Sequence, residues 1–400
     1  MTPACGQRLD KRRGWLGPTG GRRSVRECVL YKLGGFLHIP EMRTPSLDSS
    51  VGRSSWFRLS LGSVLLAWPL LTLSACGGEE EGSVDDGLEE SEADSDDGEE
   101  TASESEELRS PDSHPRLKAD PTLRFVAMGD TGKGNQGQKD VAAAIAAHCA
   151  ARGCDFVQLL GDNIYDSGVK SVDDPQWQTK FEIPYMAISQ PFYVVLGNHD
   201  YGGDGAGWEF GKGAFEIAYT AKSMKWKLPA SHYRRTVGNV DFFGLDTNLM
   251  MFNRDVDKQK AALAGWLASS MTTWKIAFGH HPYFSNGSHG NAGNYDGLWY
   301  VPIAGGQGVK KFFDDNVCGK VDLYISGHDH SRQWLTDTCR GTELAVSGAG
   351  ASATDLPGRN KTRFQSKELG FLYVSIVGRT LTAEFIDQTG KSEFTRTLTK

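Results

Sequence analysis

Five apolar runs in this chain each end on a glycine followed at once by a side chain able to hold a metal. Leu123–Met128 leads into Gly129-Asp130, and Phe156–Leu160 into Gly161-Asp162-Asn163-Ile164-Tyr165. Phe192–Leu196 leads into Gly197-Asn198-His199-Asp200, and Trp274–Phe278 into Gly279-His280-His281. Val321–Ser326 leads into Gly327-His328-Asp329-His330. Short apolar runs bounded by turn residues read as buried strands. In open α/β sheets, sites form outside the carboxyl ends of strands, and glycine lets backbone and ligand approach closely. The donors are carboxylate, phenol, amide and imidazole without thiolate, a set unsuited to soft ions. Asp162 can bridge two cations, and Tyr165, three residues later, supplies a phenolate suited to a trivalent one. One dinuclear metal centre is expected.

The rest of the chain from Pro121 onward reads as helices alternating with strands. Gln138–Ala150 is Ala-rich and helical, and Asp257–Ser270 is an amphipathic helix with Leu263, Trp266 and Leu267 on one face. Tyr233–Val237 and Val240–Leu245, joined at Gly238-Asn239, read as a hairpin. Phe371–Val377, Leu381–Ile386 and Glu393–Leu398 close the chain as an antiparallel meander. Tyr201–Gly213 and Asn286–Tyr300 are Gly-rich loops, the second carrying His289, Tyr295, Trp299 and Tyr300. This order predicts an α/β fold of two packed mixed β-sheets flanked by helices. Gly132-Lys133-Gly134-Asn135-Gln136-Gly137 matches a dinucleotide-binding glycine pattern. That reading leaves Asp130, Asn198 and the histidine clusters unexplained and is set aside.

Charge divides the chain into unlike segments. Residues 79–107 hold 16 Asp/Glu and no Lys/Arg, whereas from Leu108 onward 30 acidic residues face 32 basic ones. The folded part is near neutral, with no basic surplus to suggest nucleic acid. Residues 77–120 hold few large apolar groups, and with Cys76 they are expected to form a disordered, self-repelling tether. Upstream, Arg53 and Arg58 precede the mostly apolar Leu59–Leu73 and then Leu73-Ser74-Ala75-Cys76. About fifteen apolar residues are too few to span a bilayer comfortably, so residues 42–75 read as a cleaved signal. Leu73-Ser74-Ala75-Cys76 resembles a bacterial lipobox, which implies that Cys76 is lipidated and becomes residue one. Residues 1–41 read as an extension upstream of a start at Met42. The expected protein is exported and lipid-anchored to a bacterial cell envelope, at the outer membrane or cell surface, with a catalytic domain over 121–400. Of the remaining cysteines, spacing favours the pairs Cys149–Cys154 and Cys318–Cys339; small buried thiols are the alternative.

The five blocks occur in the order found in the calcineurin-like metallophosphoesterases. Tyr165, three residues after Asp162, resembles the purple acid phosphatases within that superfamily, above all the small tartrate-resistant type. Trp226-Lys227-Leu228-Pro229, Phe243-Gly244-Leu245-Asp246-Thr247 and Val346-Ser347-Gly348-Ala349-Gly350 agree with it. The resemblance covers roughly residues 121–385 and implies a four-layer metallophosphoesterase sandwich. It implies Fe(III) on Asp130, Asp162, Tyr165 and His330. Asp162 would bridge to a divalent ion (iron, zinc or manganese) also held by Asn198, His280 and His328.

Two carboxylates and a phenolate leave such an ion pair with a small positive charge once hydroxide binds, which suits a phosphate ester. The implied activity is that of an acid phosphatase: hydrolysis of phosphate monoesters by a metal-bound hydroxide. His199 and His289 would position substrate and deliver the leaving-group proton, and His281 and Asp200 would orient the ligand turns. In the family a glutamate commonly precedes the histidine at 289, and here it is Ser288. His114, His148 and His232 read as bystanders. The alternatives are a phosphodiesterase or nucleotide phosphatase with the same site, or a non-catalytic surface phosphate-binding protein. A monomer is expected, touching the membrane through its lipid alone.

Overall fold

The structure, a computed structural model, describes residues 122–400. The expected upstream extension, signal segment, lipidated Cys76, acidic tether and His114 lie outside the described residues. No helix among the described residues is long and apolar enough to cross a membrane.

The first half of the domain builds β1 (Leu123–Met128), α1 (Gln136–Arg152), β2 (Phe156–Leu160), β3 (Phe192–Val195), α2 (Lys212–Tyr219) and β4 (Trp226–Lys227). The hairpin follows as β5 (Tyr233–Val237) and β6 (Val240–Gly244), then α3 (Thr247–Met251), α4 (Val256–Ala268) and β7 (Trp274–Phe278). Next come α5 (Gln307–Asn316), β8 (Leu323–Ser326), β9 (Arg332–Leu335), β10 (Glu343–Ser347) and β11 (Thr362–Ser366). The closing meander is β12 (Gly370–Val377), β13 (Thr380–Asp387) and β14 (Ser392–Thr399). The five anticipated strands, the hairpin and the meander form within one or two residues of their expected bounds. The helices α2, α3 and α5 and the strands β4, β9, β10 and β11 were not anticipated; α3 and β4 are too short to show a period, whereas α5 places Val309, Phe312 and Phe313 at helical spacing, a signal the sequence reading did not use.

Two seven-stranded mixed sheets result, in the orders β14-β13-β12-β1-β2-β3-β4 and β11-β9-β10-β8-β7-β6-β5. β1 to β4 run parallel, as do β6, β7, β8 and β10. Each parallel set therefore delivers its carboxyl ends to one side. The sheets pack face to face through aromatic rings: Phe125 lies edge-on to Phe242 and Phe278 at 5.5 and 6.0 Å, and Phe156 to Phe242 at 5.3 Å. Side chains alternate along a strand, so Val126 and its cross-strand partner Tyr373 point the other way. There α1 covers them, with His148 edge-on to Tyr373 at 4.4 Å. On the far face of the second sheet, Phe243, Ala277, Tyr324 and Val346 meet Met250, Leu263, Val309 and Phe313 of α3 to α5. The result is four layers: helix, sheet, sheet, helices. Burial on both faces explains why β2 is apolar without alternation.

Local chemistry fixes the ends of α1. Asn135 accepts a hydrogen bond from the Gln138 N–H at 2.9 Å as N-cap, and Gly153 takes φ +82° just past the end. The glycine pattern at 132–137 thus opens a helix without cradling a phosphate. Gly132 is needed because a Cβ there would lie 1.8 Å from the Asn163 carbonyl oxygen, on the turn that carries Asp162. Both favoured cysteine pairs, Cys149–Cys154 and Cys318–Cys339, are disulfides. The second closes a 21-residue separation around the Gly327–His330 turn. Beside it, fully buried Arg332 of β9 donates to Glu393 of β14 at 2.5 Å, tying the two sheets together next to that turn.

Candidate metal centre

The turns after β1, β2, β3, β7 and β8 converge at one end of the two sheets. Three of them hold a non-glycine residue in the left-handed region: Asp130 (φ 59°), Asp162 (φ 53°) and His328 (φ 69°). That conformation costs about 1–2 kcal/mol for an L-residue, and such strain clusters at functional sites. Gly161, at φ +90°, lies so close to the next sheet that a Cβ would sit 2.6 Å from the His280 ring. This contact joins the β2 turn to the β7 turn.

The expected ligands gather in two groups. In the first, the Tyr165 phenol oxygen lies 3.1 Å from Asp130 Oδ1, 2.9 Å from Asp162 Oδ2 and 2.9 Å from His330 Nε2. A phenol has one hydrogen, so it cannot satisfy all three. In the second group, His280 Nε2 lies 2.9 Å from Asn198 Oδ1, 3.3 Å from Asp162 Oδ1 and 3.1 Å from His328 Nδ1. His280 Nδ1 donates to the Leu160 carbonyl at 2.9 Å, so at most one hydrogen, on Nε2, faces three acceptors. Both groups are buried gatherings of acceptors short of protons, an arrangement that a cation in each resolves. The two oxygens of Asp162 divide between the groups. All seven anticipated ligand side chains are therefore brought together, and a Cys-free donor set of this kind fits hard or borderline ions.

A calcineurin-like phosphoesterase model matches residues 123–332, across all five turns. The human tartrate-resistant acid phosphatase type 5 is 30% identical over 318 residues, covering 69% of this chain and 90% of that protein. The chain belongs to the purple acid phosphatases. Purple acid phosphatase 4 of Arabidopsis thaliana is 29% identical over 300 residues, covering 68% of this chain and 82% of the relative. Two solved structures agree on the fold. One is a Plasmodium protein described as GAP50, the anchor in the inner membrane complex (TM-score 0.56, 23% identity, 70% of this chain and 89% of that one). The other is a purple acid phosphatase from yellow lupin (Lupinus luteus) seeds (TM-score 0.53, 18% identity, 70% and 54%). Like its family, this purple acid phosphatase is a metal-dependent hydrolase of phosphoric monoesters.

In this phosphatase, protons occupy the centre when no cation does. Burial, then the charges of Asp162 and Asp130, push the Tyr165 phenol well above its ordinary range. Burial opposes charge on His280, yet the adjacent Asp162 carries it up to about 9. Burial and the neighbouring histidines hold His328 well below the usual imidazole value. Asp162 resists its own burial because His280 and His199 hold its carboxyl below the usual range. The two adjacent imidazoles are thus pushed in opposite directions.

Surrounding groups aim the ligands. Asp200 accepts from the backbone N–H of Asn163 (2.8 Å), Ile164 (3.1 Å) and Gly197 (2.8 Å), stapling the β2 and β3 turns together. Asn198 Nδ2 donates to the Gly205 carbonyl at 2.8 Å, which turns its amide oxygen inward. His281 is fully buried, its Nδ1 2.9 Å from Thr247 Oγ1, and its ring 4.5 Å from that of His328. Ser352 Oγ sits 2.9 Å from His330 Nδ1.

His199 and His289 stand on opposite flanks. His199 Nδ1 is 2.5 Å from the Asp166 carbonyl, with Nε2 4.0 Å from Asp162 Oδ2. His289 Nδ1 is 2.9 Å from Asp296 Oδ1, and its ring lies 4.2 Å from that of His328. Burial opposes charge on His289, but the bond from Asp296 and the charge of Asp329 raise its pKa overall. In each ring an acceptor occupies Nδ1, which leaves Nε2 for substrate.

Sequence reasoning missed Thr247, Ser352, Asp296 and Asp329. Asp329, which accepts from the His289 N–H at 2.9 Å, was visible inside the Gly-His-Asp-His block. Asp296 had no signal, being one carboxylate in an aperiodic loop. The aromatic residues of the 286–300 loop differ in burial. Trp299 and Tyr300 are 67% and 64% exposed, but Tyr295 is buried, its hydroxyl donating to the Pro282 carbonyl. His148 and His232 pack on aromatic rings outside the ligand groups.

Proposed function

We propose that this purple acid phosphatase hydrolyses phosphate monoesters at a dinuclear centre. In it Asp130, Asp162, Tyr165 and His330 hold Fe(III). Asp162, Asn198, His280 and His328 hold divalent iron, zinc or manganese. The observation that carries the reading is the divided Asp162 carboxylate, with one oxygen 2.9 Å from the Tyr165 phenol and the other 3.3 Å from His280. Held by those residues, two cations would supply Lewis acidity toward the phosphoryl oxygens and would lower the pKa of a water molecule.

The chain's own groups do the rest. Asp200 and Asn198 keep their turns rigid, so the donor geometry costs no reorganisation during reaction. His199 and His289, with Nδ1 already bonded, present Nε2 to the phosphate and its ester oxygen. From there a proton passes to the departing alkoxide. The absence of thiolates and the strained ligand turns support a catalytic centre over a passive phosphate binder. We further propose that Cys76 carries a lipid and that residues 77–120 tether the domain to a cell envelope, on the strength of the sequence pattern.

The test is metal analysis with a visible spectrum and turnover of 4-nitrophenyl phosphate and bis(4-nitrophenyl) phosphate. The expected result is two metals per chain, a tyrosinate-to-iron absorption band, and monoester turnover that chelation abolishes and metal restores. Faster turnover of the diester than of the monoester would assign a phosphodiesterase instead. Full metal loading without turnover of either would overturn hydrolysis.

A further inference from the structure

A cleft of about 310 Å³ opens from the candidate metal centre between the Gly205–Gly207 loop, α3 and the 295–304 loop. Its inner end is the site itself, with His281, His289 and His328. Its outer walls are Met251, Phe252, Ile303 and Ala304. Among the residues lining it there is no lysine or arginine, and the one formally charged group is the carboxylate of Asp296.

We infer that this cleft receives the alcohol side of the substrate, and that the preferred leaving group is an uncharged, apolar alcohol or phenol. The inference rests on the monoesterase reading above. A phosphoryl group on the metal-ligand histidines projects its ester oxygen toward His289 and the open cleft, where thioether, phenyl and branched alkyl groups meet it. Apolar surface removed from water there stabilises the complex by about 25 cal/mol per Å². An anionic leaving group, such as a second phosphate, meets the opposite environment. It enters walls of Met251, Phe252 and Ile303 that cannot solvate it, and the one cation-capable ring there, His289, is already paired with the Asp296 carboxylate at 2.9 Å. The cations on the far side of His289 are already engaged. Lys367 pairs with Asp355 at 2.8 Å, and Arg359 donates to the carbonyls of Pro357 and Gly358. Ile303 is 48% exposed and reachable from solvent, so it forms a lip that the chain can vary without disturbing the core.

The experiment compares kcat/KM for 1-naphthyl phosphate and inorganic pyrophosphate in the metal-loaded enzyme, and measures 1-naphthol binding by calorimetry. Wild-type enzyme should favour 1-naphthyl phosphate by tenfold or more, roughly what a few apolar contacts confer. Ile303→Lys should lower that ratio about tenfold and weaken 1-naphthol binding by a similar factor. Val377→Lys, at an equally exposed position on β12 outside the cleft, should leave both unchanged. A wild-type preference for pyrophosphate, or an Ile303→Lys variant with an unaltered ratio, overturns the inference. If no monoester is turned over but 1-naphthol still binds and Ile303→Lys weakens it, the hydrolysis reading fails while the apolar cleft is upheld.

Discussion

Gly161→Ala places a methyl group where the β2 turn touches the β7 turn. The added Cβ would lie 2.6 Å from His280 Nδ1 and 2.8 Å from both Cβ and Cγ of the same residue, against an ordinary contact of 3.4–4 Å. The ring must retreat by roughly 1 Å to restore van der Waals separation. It has little freedom to do so, because its Nδ1 is bonded to the Leu160 carbonyl at 2.9 Å and its backbone N–H to Thr247 Oγ1 at 3.2 Å. Overpacking of this kind costs about 1–3 kcal/mol, and the left-handed backbone at φ +90° adds about 1–2 kcal/mol for an alanine. A total of roughly 2–5 kcal/mol is expected in urea unfolding. Displacement of His280 should also remove one of two metals and lower turnover about 100-fold, as ~1 Å misplacements do. Gly390→Ala is the control: its φ of +87° is nearly the same, but a Cβ there meets nothing within 4 Å. It should cost only the backbone part. If Gly161→Ala proves no less stable than Gly390→Ala and keeps two metals with wild-type turnover, the proposed coupling between these turns is wrong.

Tyr165→Phe removes the phenolate but keeps the ring; it should abolish the visible band and ease reduction of the iron, with residual hydrolysis remaining. A colourless wild-type enzyme with full iron loading would contradict the tyrosinate assignment. His199→Asn should depress turnover by about 10²–10⁴-fold for poor leaving groups and much less for activated aryl phosphates; equal losses would make His199 a positioning group. Glu393→Gln leaves Arg332 buried beside an uncharged partner. Because Glu393 keeps some solvent access, destabilisation toward the lower end of about 3–5 kcal/mol is expected, and urea unfolding showing a loss under ~1 kcal/mol would refute it. Cys76→Ala should eliminate labelling by radioactive fatty acid and block processing, and wild-type protein that takes up no label would remove the anchor from the proposal.

Much of the fold and most of the centre were legible in the chain itself. β1, β2 and β7 announce themselves as mostly apolar runs because both faces of the sheets are largely covered, each strand carrying a single polar residue (Arg124, Gln158 and Lys275). The glycine after each run, and the donor after each glycine, pointed to Asp130, Asp162, Asn198, His280 and His328, and the resemblance added Tyr165 and His330 from the same blocks. Tyr165 was legible locally as well: three residues separate it from Asp162, so a single turn carries both.

Tertiary structure decided what those donors do to one another. No local pattern says that Asp162 divides its two oxygens between two groups that each draw on both sheets; that depends on Gly161 letting the β2 turn lie against His280, 119 residues away in sequence. Nor could sequence pair His289 with Asp296 in place of the glutamate missing at Ser288, because an aperiodic loop folds only against its neighbours. α3 stayed hidden because a helix of five residues is marginal alone and packing supplies its stability, whereas α5 carried a legible apolar face of Val309, Phe312 and Phe313. The cleft beside the centre is of this second kind. Met251 and Ile303 lie 52 residues apart and share a wall only because α3 and the 295–304 loop end beside the same strands. Side-chain chemistry is local and can be read from order and spacing, whereas shape and distance arise from which distant surfaces exclude water together.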